Sequence, residues 1–164
     1  MNAKFLRIMA TTTVVLFTMI SCSTPEEASI ESVEVVQFYE YSEIENQTLG
    51  LINDYRVSIG LNRLEKINHI SYKSSEHNEY MIETNIVGHA HFEERKANIK
   101  QALGALVVGE NVAYNFDSPE VAFNAWLNSP KHKLNIEADY THFGISIREN
   151  ENGQKFYTNI FIRK

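Results

Sequence analysis

The chain carries one cysteine, Cys22. No intramolecular disulfide can staple it, so any fold must be held by a buried apolar core. Its 164 residues, 43% hydrophobic with seven glycines and three prolines, suffice for one globular domain and exclude a fibrous or disordered chain.

The position of that cysteine carries a second message. Lys4 and Arg7 precede an apolar run from Ile8 to Ile20, which stops at Ser21-Cys22 and is too short to span a bilayer comfortably. Residues 1–21 read as a secretory signal. Ser21 is the small residue ahead of the cysteine, and Met19 stands where bacterial lipoprotein signals usually carry leucine, so the stretch resembles a lipobox. Cleavage before Cys22 would free it for lipidation, and acyl chains buried at roughly 0.8 kcal/mol per methylene would tie the chain to a lipid bilayer. The expected location is exported and lipid-anchored in the cell envelope, at the outer membrane and surface-exposed, with Ser23, Glu26 and Glu27 following the anchor. An ordinary signal peptide with a chance cysteine is the alternative. Without residues 1–21 the chain has 13 Lys and Arg against 21 Asp and Glu, a formal charge of −8, which argues against nucleic acid as a partner.

Residues 22–41 are acidic and rich in Ser and Glu, and are expected to form a tether ahead of a domain spanning 42–164. From Ser42, apolar residues at helical spacing (Ile44, Leu51, Ile52, Tyr55) predict a first helix ending at Gly60. A second runs from an N-cap at Asn68 through Ile70, His77 and Met81 to Thr84, and a third from Phe92 to Leu103. Ser118-Pro119-Glu120 opens a fourth with an apolar stripe of Val121, Ala122, Ala125 and Trp126, and Ser129-Pro130 ends it. The period then changes to two: Phe143 to Arg148 and Lys155 to Arg163 read as strands joined through Asn150, Asn152 and Gly153, giving a hairpin flanked by helices.

Three segments hold the residues suited to chemistry: Gly88-His89-Ala90-His91-Phe92, Gly109-Glu110-Asn111-Val112-Ala113, and Trp126 to Ile136 with His132 and Asn135. With Asn53-x-x-Arg56, Gly60-Leu61, Arg95, Phe143-Gly144-Ile145 and Tyr157-Thr158-Asn159-x-Phe161, their order and spacing resemble the CAP superfamily of cysteine-rich secretory, antigen 5 and pathogenesis-related proteins (the SCP domain). The likeness is to its disulfide-free bacterial members and runs from about Leu49 to the C-terminus. The resemblance implies an α+β fold, a three-layer α-β-α sandwich around a small, mostly antiparallel sheet. It also implies a central cleft lined by His89, Glu110 and His132. Many eukaryotic members carry a second cleft glutamate three residues after the tryptophan, where this chain has Ser129; Glu137 and Asp139 are the candidates to replace it.

Two neutral imidazoles and a carboxylate suit zinc, with His89 and His132 as ligands, or an acid and base pair. Glu110 has a second reading, as a structural acid accepting backbone N–H groups in a tight turn. Asn111 and Asn135 are expected to brace loops beside the cleft. His89 and His91 are two apart, a spacing that points side chains the same way in an extended segment, but the family pattern uses only His89 and His91 is expected to be an exposed neighbour. His77 is expected in the core, Arg95 as a brace on a carboxylate, and Trp126 in the core; His69 and His142 have no assigned role. No Gly-x-Ser-x-Gly or glycine-rich phosphate loop is present.

The expected function is a non-catalytic, lipid-anchored domain whose cleft binds a metal ion, a lipid or a peptide. The alternatives are a zinc-dependent hydrolase using His89, His132 and Glu110, and a purely structural envelope module.

Overall fold

The computed structural model describes residues 33–164; the signal and Cys22 lie outside the described residues. Helix α1 (Glu43–Ser58) is followed by β1 (Glu65–Lys66), α2 (Asn68–Thr84), α3 (Phe92–Leu103), β2 (Val107–Tyr114), α4 (Pro119–Asn128), α5 (Pro130–Glu137), β3 (His142–Glu149) and β4 (Lys155–Arg163). The four strands form one sheet in the order β1-β3-β4-β2, with β1 parallel to β3 and the other pairs antiparallel. The fold is α+β, as the sequence implies.

Alternation along the strands builds two cores. Facing α1, α4 and α5 are Phe143, Ile145, Ile147, Tyr157 and Phe161, packed with Leu49, Ile52, Trp126 and Ile136. The other face sets Ile160 and Ile162 against Ile70 of α2 and Ile99 of α3. Gly144 allows α2 to press on the sheet: a Cβ there would come within 2.6 Å of the Ser71 amide nitrogen.

Helix ends follow local chemistry. Ser42 and Glu45 make a reciprocal capping box on α1, and Gly60, at φ +84°, lies just beyond its C-terminus. Ser118 caps α4 through the Val121 amide. Arg56, fully buried, gathers the end of α5 by donating to the carbonyls of Ile136 and Ala138 at 2.6 and 2.9 Å, and to Asn62.

Several expectations change. The stretch from Val107 to Tyr114 forms edge strand β2, although Gly109 and Asn111 weaken its strand signal; pairing with Phe156 to Arg163 of β4 overrides that. Pro130 does not only end α4, because it opens α5, where its missing N–H costs nothing. Ile67 is the N-cap of α2, and Asn68, already helical, donates instead to the Gln37 carbonyl. Val121 is half exposed and leaves the core stripe to Ala122, Phe123 and Trp126. The packed body also begins ahead of Ser42, since the Val36 amide donates to His69 Nδ1 and the Tyr39 hydroxyl to Glu45 Oε1.

Candidate functional site

Strand β2 divides the site. Its even-numbered residues face α2 and α3 and its odd-numbered ones face α4 and α5, so Glu110 and Asn111 point to opposite sides of the sheet edge. Glu110 is therefore in mid-strand and not in a tight turn. Its side chain is buried and accepts from Arg95 of α3 at both oxygens, with Nε to Oε2 at 3.0 Å and Nη2 to Oε1 and Oε2 at 2.9 and 2.8 Å. His89 Nδ1 completes the cluster at 2.9 Å from Oε1, and the His89 ring is half exposed.

The loop bearing His89 is fastened on either side of it. Buried His77 of α2 donates from Nε2 to the Gly88 carbonyl at 2.8 Å, and Arg95 Nη1 donates to the Ala90 carbonyl at 2.6 Å. That bond requires a proton on Nε2, and burial first, then the Arg95 charge, push the His77 pKa down. His91 sits at φ +58°, so the segment is not extended and the spacing of two does not align His91 with His89; His91 is exposed, its ring edge-on to Tyr80 at 5.0 Å.

On the other side of β2, α5 supplies His132 and Asn135. Asn135 Nδ2 donates to the Glu110 carbonyl and to Asn111 Oδ1, and Asn111 Nδ2 donates to the His132 carbonyl, at 2.9 to 3.0 Å. Together with Trp126 Nε1, which donates to the Val112 carbonyl at 3.1 Å, Asn135 satisfies outward carbonyls of an edge strand. Burial, and then the His89 charge, lower the pKa of His132. Gly109 lets α5 approach, because a Cβ there would collide with the Tyr140 hydroxyl and sit 2.9 Å from Asn135 Oδ1.

Between these two sides lies a cavity of about 380 Å³, with His89, Phe92 and Glu110 on one side, His132, Asn135 and Tyr140 on the other, and Val108, Gly109 and Lys131 completing it. The structure thus brings His89, Glu110 and His132 to one cleft. Glu137 accepts from the Tyr55 hydroxyl and Asp139 pairs with Arg163; neither lines the cavity. His69 hydrogen-bonds Asn98 through Nε2, and His142 Nδ1 meets the Thr141 hydroxyl.

The donor set does not fit a zinc centre. Among the described residues no group of three or more His, Cys, Asp or Glu side chains is placed to hold a metal ion. Both Glu110 oxygens are taken by Arg95, which leaves two imidazoles where catalytic zinc usually has three protein ligands.

This combination, an α+β fold around a mixed four-stranded sheet with a two-histidine cleft at its edge, defines a class of secreted-protein domain. Residues 49–161 match the family described as CAP, the cysteine-rich secretory protein family, and the chain belongs to it. A curated relative, the uncharacterized membrane protein YlbC of Bacillus subtilis, is 34% identical over 130 residues, 73% of this chain; the chain spans about a third of that relative's length. Among solved structures, an extracellular SCP-domain protein from Bacillus anthracis is 26% identical at a TM-score of 0.64, covering 73% of this chain and 40% of that one. An outer surface protein from Borrelia burgdorferi shares the fold at 21% identity and a TM-score of 0.69, covering 77% of this chain and 96% of the other.

Proposed function

We propose that this chain is a CAP domain displayed outside the cytoplasm on a lipid anchor at Cys22, and that its cleft holds an organic ligand, a lipid or a peptide segment, without breaking bonds in it. The observation that carries the reading is the commitment of Glu110. A hydrolase using this cleft needs its carboxylate as base or metal ligand, and here that carboxylate is buried under a bidentate arginine. What remains available to a ligand is the His132 imidazole, the half-exposed His89 ring oriented by Glu110, and the apolar walls of Phe92, Val108 and Tyr140. Structural relatives described as an extracellular protein and an outer surface protein support display outside the cell.

Native mass spectrometry of the full chain purified from its own envelope tests the cleft. A lipid or peptide that stays with the wild type and is lost from His89→Ala and His132→Ala is the expected result. One zinc per chain in place of an organic ligand, or peptide or ester turnover abolished by His132→Ala, would overturn it. For the anchor, Cys22→Ala should move the chain from the membrane fraction to the soluble one; unchanged membrane attachment would refute lipidation as the tie.

A further inference from the structure

A second hollow, of about 570 Å³, shares no lining residue with the cleft. Phe38, Tyr39 and Tyr41 of the segment ahead of α1 form one wall, and Tyr72 and Ser75 of α2 with Arg148 of β3 form the rest. Residues 38–42 precede the family match at 49–161, so this wall belongs to the chain's own extension. We propose that the hollow binds a neutral saccharide of one or two rings.

The wall is built before any ligand arrives. Tyr39 donates to Glu45 Oε1 at 2.8 Å, and the Tyr41 hydroxyl accepts from Ser71 Oγ at 2.9 Å. The two rings meet edge-on with centroids 4.8 Å apart, and Glu45 itself is locked by the Ile147 amide at 2.8 Å. Burial pushes the Tyr39 pKa up to about 12, so its hydroxyl stays a donor to Glu45. A pre-ordered wall spares the ligand the entropy of ordering it. Beside these fixed rings Phe38 is 77% exposed and Tyr72 40% exposed, with Lys73 Nζ over one face of the Tyr72 ring at 5.4 Å from its centroid and the other face open.

Charge and polarity select the ligand class. Arg148 Nη1 is paired with buried Glu45 at 3.2 Å, and Glu40 stands on the lining, so an anion finds no uncompensated positive charge. A cation finds three of the rings already taken, since Lys66 Nζ lies 4.4 Å from the Tyr41 centroid, Lys73 Nζ 5.4 Å from that of Tyr72 and the Arg148 guanidinium 5.6 Å from that of Tyr39. A wholly apolar ligand would strip water from Arg148 and Ser75 with nothing in return. A pyranose has the matching mixture: one face of polarised C–H bonds for Phe38 and Tyr72, and hydroxyls at its edge for the guanidinium and the serines. The volume lies within the range of small-ligand sites, roughly 300 to 1,000 Å³.

The full chain titrated with chitobiose, maltose and xylobiose, followed by intrinsic fluorescence and calorimetry, tests the assignment. Saturable binding of at least one disaccharide with a Kd of about 1 mM or tighter is expected, weakened about tenfold or more in Phe38→Ala/Tyr72→Ala. Both substituted side chains are exposed, so thermal unfolding should confirm an intact fold. Val57→Ala, an exposed apolar site about 22 Å further along α1, should bind as the wild type does. Absence of saturable binding by all three sugars overturns the proposal, as does binding that survives the double substitution in folded protein. Neither result bears on the cleft, whose ligand is read by the His89 and His132 variants.

Discussion

Arg95 and Glu110, on α3 and β2, form a bidentate ion pair with the two side chains 9% and 1% exposed, and the carboxylate also meets His89. Among the described residues Glu110 is the only acid lining the cavity, and both its oxygens accept from Arg95.

Breaking this pair leaves an uncompensated buried charge. Arg95→Ala and Glu110→Ala should each lower unfolding stability by about 3 to 5 kcal/mol, and the double substitution by much less than the sum. Denaturant titration of the three variants reads the coupling; additive losses would show that the two residues act independently.

Gly109→Ala should destabilise by about 1 to 3 kcal/mol, because its Cβ meets the Tyr140 hydroxyl and Asn135 Oδ1. Tyr140→Phe removes the obstructing hydroxyl and should recover part of the loss in the Gly109→Ala background. No recovery would place the strain elsewhere.

Burial holds His69 and His77 below the ordinary imidazole value of 6.5. The unfolded chain therefore binds protons before the folded one, so their contribution to stability is complete above about pH 6.5 and is lost as pH falls towards the folded values. Thermal midpoints measured from about pH 7.5 to 5 should decline, and His77→Gln should flatten that decline. A variant curve parallel to the wild type would exclude His77 as a source.

Glu45 is 0% exposed and accepts from Tyr39, the Ser42 and Ile147 amides and Arg148, tying the segment ahead of α1 to β3. Glu45→Ala should cost about 3 kcal/mol or more, against about 1 kcal/mol for the cap deletion Ser42→Ala. Equal losses in chemical denaturation would reduce Glu45 to a capping residue.

The start of α1 at Ser42, the Ser118-Pro119 start of α4 and the alternation of β3 and β4 were legible because each depends on residues within one or two turns of chain. Strand β2 was not, since Gly109, Glu110 and Asn111 carry little strand preference and their pairing partners lie about 50 residues away in β4. Nor was the wall at Phe38 to Tyr41, whose acidic composition reads as a tether until Glu45, Ser71 and Arg148 are seen around it.

By itself, the amino-acid sequence determined the first four helices, the hairpin, the family and the residues that meet in the cleft, because spacing and local capping are written along the chain. Only the tertiary structure decided how those residues are used. Whether a carboxylate is free or engaged depends on what lies beside it in space, and Arg95 reaches Glu110 from a different element, α3, packed on the face to which Glu110 points.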